Sequence, residues 1–189
     1  MAHSNGIRNS VLQAIGNTPV VRLRKVVTPS MAEVLVKLEY YSPTGSYKDR
    51  MALAMIEGAE ARGELRAGMR VVEWTGGSTG SSLAMVCAIK GYHFTPISSD
   101  GFAKEKLQTM RLFGAELEIF PSENGKLVPE LYQRMKKRAE ELAREPGTFT
   151  QTSLITRTRF GGTWESARNW PNRRARAWRR FAAEWARRG

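Results

Sequence analysis

At 189 residues the chain can hold one domain and part of another, and a hydrophobic fraction of 41% excludes global disorder. No apolar run reaches about 18 residues, which excludes a membrane-spanning helix. The formal charge of +12 is unevenly spread: residues 156–189 hold ten arginines against Glu165 and Glu184, a net +8, so the body carries only +4 and does not read as a nucleic-acid-binding surface.

In chain order, residues 34–38 (V-L-V-K-L) read as a first strand, followed by a loop rich in Tyr, Ser, Pro and Gly. Residues 49–62 suit a helix, with Met51, Ala52, Met55, Ile56 and Ala59 at helical spacing and Gly63 and Gly68 beyond its end. Residues 70–74 (R-V-V-E-W) form a second strand that runs into the glycine-rich stretch 75–80, and residues 81–90 a second helix stopped at Gly91. Strand 94–98, helix 104–113, strand 116–120 and a long helix over 127–144 complete the body. Alternating strands and helices predict an α/β fold, a parallel sheet flanked by helices joined through right-handed crossovers. Ligands of such sheets sit beyond the carboxyl ends of strands, where residues 42–48 and 75–80 fall.

Pro43-Thr44-Gly45-Ser46-Tyr47-Lys48-Asp49-Arg50 places a lysine where a loop becomes a helix. Partial desolvation and the positive end of the helix dipole favour the neutral amine that condenses with an aldehyde cofactor. The plainer reading is a surface lysine at a helix start, paired with Asp49 or another acid. Thr75-Gly76-Gly77-Ser78-Thr79-Gly80 offers closely spaced amides and three hydroxyls at a helix start, suited to a carboxylate or phosphate. A strand-to-helix turn capped by Ser or Thr would look the same without any ligand.

Taken together, these residues resemble the cysteine synthase (O-acetylserine sulfhydrylase) family of fold-type II pyridoxal-phosphate enzymes. Ile15-Gly16-Asn17-Thr18-Pro19-Val20-Val21-Arg22-Leu23 is similar to the family's opening motif, I-G-N-T-P-L-V-R-L. The stretch 45–50 resembles G-S-x-K-D-R, 75–80 resembles T-S-G-N-T-G, and 112–117 resembles L-x-G-A-E-L. The resemblance covers roughly residues 10–150. It implies that Lys48 holds pyridoxal 5′-phosphate and moves the proton at the substrate α carbon. It also implies that Thr75, Gly76, Gly77, Ser78 and Thr79 bind the substrate carboxylate. Ser78 stands where the family has an asparagine that contacts the cofactor ring, so that contact is weakened or passes through water. The implied reaction is β-replacement on an activated serine, with threonine synthase or an amino-acid dehydratase as near rivals. The family's usual homodimer is implied but doubtful for this chain.

By the same resemblance, residues 1–36 belong to a larger domain and 37–150 form the small domain. Residues 151–189 are an aberrant tail. The family's larger domain supplies a phosphate loop and a serine for the pyridine nitrogen, and neither is recognisable after Thr152. The tail has no lysine and holds four of the five tryptophans. The expectation is a shifted reading of the family's own gene: permitted codons for 150–156, read two letters later, give T-D-Q-F-N-N, and those for 182–189 can give G-G-V-G-T-A-G. A chain so ended is expected to bind pyridoxal phosphate poorly and turn over little. The rival is a basic helical extension that binds acidic partners such as nucleic acid.

Cys87, the sole cysteine, is read as core, and it excludes an intrachain disulfide. His3 and His93 have no partners at metal-ligand spacing, so no metal site is expected. Tyr40, Tyr41 and Tyr47 flank the lysine loop, either lining a pocket or packing, and Lys136, Lys137 and Arg138 read as a solvated helix face. A polar start without a secretory core makes a cytoplasmic location the expectation.

Overall fold

The computed structural model describes residues 7–150. Ten elements follow in order: β1 (Val20–Arg22), β2 (Leu35–Lys37), α1 (Lys48–Ala61), β3 (Arg70–Trp74), α2 (Ser78–Lys90), β4 (His93–Ser99), α3 (Lys104–Leu112), β5 (Glu118–Phe120), α4 (Pro129–Leu142) and β6 (Thr148–Thr150). Short 3-10 turns cover Val11–Ala14 and Glu39–Tyr41.

Four of the strands make a parallel sheet in the order β5-β4-β3-β6. Side chains alternate across β3, and the two faces receive different helices. Val71 joins Ile56 of α1, Leu83 and Val86 of α2 and Met110 of α3 in one core. Val72 joins Leu131, Met135 and Leu142 of α4 in the other. The chain therefore winds outward from β3 to β5 with α2 and α3 on one face. It then returns under the other face through α4 to lay β6 against β3. The direction of winding reverses between β3 and β6, which makes the carboxyl end of β3 the topological switch point.

The strand expected at 34–38 is not part of that sheet. Its core, β2, pairs antiparallel with β1 in a separate two-stranded ribbon, with Val20 opposite Lys37 and Arg22 opposite Leu35. An apolar run reports strand propensity but not its partner, and β1 is too short and exposed to announce itself. The sheet's fourth member is instead β6, whose three residues bury only Phe149. Residues 1–6 and the tail 151–189, with its proposed shift of reading, lie outside the described residues.

Helix α2 starts at Ser78, three residues earlier than its apolar pattern indicates. The cause is local: Thr75 Oγ1 accepts the amides of Gly77 and Gly80, so the glycine-rich loop is already winding before the first apolar residue. Pro129 opens α4 at a position where its missing N–H costs nothing. Cys87 is fully buried in the first core, as expected, and burial pushes its thiol up to about 12.

Candidate functional site

Lys48, Asp49 and Arg50 are consecutive residues of the first turn of α1, and each points to a different task. Asp49 is completely buried. Its carboxylate accepts the amide and hydroxyl of Thr44, and the hydroxyl of Ser82 at 2.6 Å, so it ties the preceding loop to α2 rather than pairing with Lys48. Arg50 turns to the opening motif. Its Nε donates to Glu39 at 2.9 Å and its Nη2 donates to Thr18 Oγ1 at 3.1 Å, while the Thr18 hydroxyl donates to Glu39 at 2.8 Å. Lys37, which donates to the Thr18 carbonyl, is brought down to about 8 by burial first and by the Arg50 charge second. The two motifs that were read separately in the sequence are thus one bonded unit.

Lys48, held from behind by these anchors, is half-buried with its ammonium 4.6 Å from the centre of the Tyr47 ring. It lines a cavity of about 370 Å³ together with Met51, Met55, Glu73, Trp74, Thr75, Gly76 and Thr79. That size falls within the ~300–1,000 Å³ of small-molecule and cofactor sites. Lys48 of α1 and residues of the glycine-rich loop at the end of β3 therefore share one cavity at the switch point. Gly77 and Ser78 follow in the same loop without lining the cavity. Tyr40, Tyr41 and Tyr47 do not line it and are more than half exposed.

The loop is rigidly placed. Thr75 donates its amide to the Ile97 carbonyl at 2.9 Å, and its own carbonyl accepts Ser98 Oγ at 2.8 Å. Its hydroxyl, which accepts two amides, retains a proton to donate. The amides of Ser78 and Thr79 lie in the first turn of α2, where a helix supplies no acceptor of its own. Glycine is required at two places here. A Cβ at Gly76 would stand 2.6 Å from the Phe102 ring, and one at Gly80 would run into Met110 and into Thr75 Cγ2 at 2.6 Å.

Four lining residues were not singled out in the sequence as site residues: Glu73, Trp74, Met51 and Met55. Met51 and Met55 read as ordinary helix core, and Glu73 as one polar residue in a strand. Glu73 is only 2% exposed, and burial raises its carboxyl to about 8, a shift reduced by the Trp74 backbone. Its alternation with buried Val71 was the signal available: an acid at a core-facing strand position.

The lysine of α1 and the first turn of α2 thus meet at the switch point of an α/β sheet, the place where such folds bind small ligands. The chain belongs to the pyridoxal-phosphate dependent enzyme family, whose model matches residues 11–164. It is 44% identical over 141 residues to cysteine synthase of Staphylococcus aureus, covering 75% of this chain and 44% of that protein. It is 40% identical over 141 residues to O-ureido-L-serine synthase of Streptomyces lavendulae, covering 75% and 41%. Among solved structures, O-ureido-L-serine synthase matches with a TM-score of 0.73 and 36% identity, covering 85% of this chain and 48% of that one. Cysteine synthase of Entamoeba histolytica matches with a TM-score of 0.75 and 29% identity, covering 88% and 49%. The chain spans less than half the length of each of these relatives.

Proposed function

We propose that this chain carries the lysine-bearing part of a pyridoxal-phosphate enzyme performing β-replacement on an activated serine, as in cysteine synthesis from O-acetylserine or O-phosphoserine. The observation that carries the reading is the meeting of Lys48 with Thr75, Gly76 and Thr79 in one cavity at the switch point. The lining fits the cofactor's aldehyde end: an amine, an apolar wall from Met51 and Met55, and an unsatisfied carboxyl oxygen on Glu73. When bound, pyridoxal phosphate supplies an electron sink for charge developing at the α carbon.

The chain's own residues do the rest. Lys48 supplies the amine that holds the aldehyde, then takes and returns the proton at the substrate α carbon. The hydroxyls of Thr75 and Thr79, with the amides of Ser78 and Thr79, hold the α-carboxylate and so fix the orientation of the Cα–H bond. Met51 and Met55 keep water from the amine. Ser78, where the relatives' motif has asparagine, leaves the ring contact weaker. The division at residue 36, with the preceding segment belonging to a larger domain and the tail arising by a shifted reading, is part of the same proposal.

No second glycine-rich loop lines the cavity among the described residues, so low affinity is expected and the test uses excess cofactor. Borohydride reduction in the presence of pyridoxal phosphate should fix a pyridoxyl group on Lys48, detected by peptide mass. Lys48→Ala should abolish it. Equal labelling of other lysines with none at Lys48 would end the proposal. Turnover of O-acetylserine, O-phosphoserine and threonine by a chain carrying the remaining half of the enzyme separates β-replacement from threonine synthesis and dehydration.

A further inference from the structure

Glu73 is the fourth residue of β3 and shares its face with Val71, toward α1. It is 2% exposed, yet its Oε2 has no hydrogen-bond partner. The side chain is not isolated inside the core, because it lines the cavity that Lys48 lines. The Trp74 backbone bonds the carboxyl but leaves Oε2 unmet, and no neighbour supplies it: Met51 and Met55 are apolar, Asp49 is engaged with Thr44 and Ser82, and the Thr75 hydroxyl, which caps α2, makes no bond to it. For folding alone a methionine, similar in length and without a polar atom to satisfy, would serve better at this position.

We propose that Glu73 is a ligand-binding residue of the cavity, its uncommitted carboxyl oxygen forming a hydrogen bond with the aldehyde cofactor that Lys48 receives. The inference rests on the functional reading above and adds a residue to it. Burial keeps the acid neutral near pH 7, so it presents an O–H donor as well as an acceptor. The pyridoxal ring carries both kinds of partner, a hydroxyl oxygen and a ring nitrogen. Lys48 is the one other ionisable side chain among the lining residues, so the acid and the amine share the cavity that would take the cofactor.

The test titrates pyridoxal phosphate into the full chain, reduces with borohydride, and quantifies the pyridoxyl group on Lys48 alongside the melting temperature. Glu73→Met is expected to melt no lower than the parent, since a buried unsatisfied carboxyl is removed. It should nevertheless need about tenfold more cofactor for half-maximal capture, the size of one lost hydrogen bond. Glu73→Gln keeps a donor and an acceptor and should stay within about threefold of the parent. A purely structural role would raise the melting temperature without moving half-capture, and that result overturns the inference. If Glu73→Met does not fold, Glu73→Val is judged by the same criterion. No capture at Lys48 in the parent chain removes the functional reading itself. Capture in the parent with equal capture in Glu73→Met removes only the role of Glu73.

Discussion

Asp49 shows how a single buried charge can set the geometry of its neighbour. The carboxylate collects three hydrogen bonds from Thr44 and Ser82, each strengthened by its charge. Asp49→Ala should cost about 2–4 kcal/mol in denaturant unfolding, because it strands those donors and frees the loop before Lys48. Ser82→Ala, which removes one of the three, should cost about 1 kcal/mol. Glu73 has the opposite character, since burial raises its carboxyl from 4.5 to about 8. Below pH 4.5 it is protonated whether the chain is folded or not, and its burial carries no ionisation cost. Between there and pH 8 the unfolded chain loses the proton while the folded one keeps it, so stability falls as pH rises. The stability advantage of Glu73→Gln should accordingly widen from pH 5 to pH 8 and level off above, as measured by urea midpoints.

At the scale of elements, the turn from β3 into α2 depends on close approach. Gly80 lets α2 lie against Met110 of α3 and against Thr75, with no room for a methyl group. Gly80→Ala should destabilise by about 1–3 kcal/mol through overpacking and should also loosen the Thr75 cap, lowering capture at Lys48. The glycines here were legible as a motif, but their reason was not. One faces the Phe102 ring and the other a methionine thirty residues on, and neither neighbour is visible from local sequence. The early start of α2 has the same origin. Periodicity marks where a helix begins to bury side chains, whereas the Thr75 hydroxyl decides where it begins to wind.

At the scale of the described molecule, the Arg50–Glu39–Thr18 cluster joins α1, which packs in the sheet's core, to the segment bearing the β1–β2 ribbon. Arg50 is 6% exposed, and a truncation there removes the guanidinium bonds to Glu39 and Thr18 from a buried setting. Arg50→Ala should therefore accelerate amide exchange in residues 18–39 far more than in β3 and β4, whose amides lie in the sheet centre. Equal acceleration throughout would show the ribbon and the sheet to be one cooperative unit. Among the described residues β6 lies at the edge of the sheet, and its amides should exchange ahead of those in β4.

Residue order alone determined the alternation of strands and helices, the lysine at the start of α1, the glycine-rich loop after β3 and the family they resemble. Those features depend on interactions within a few residues, or on a motif whose spacing is itself the signal. Only the tertiary structure decided that residues 35–37 leave the parallel sheet, that β6 completes it, and that Asp49 and Arg50 are anchors rather than partners of Lys48. It alone brought Glu73 into the lysine's cavity. Strand partners, buried-charge pairing and cavity walls arise between segments far apart in sequence, through burial and hydrogen bonding that no local pattern encodes.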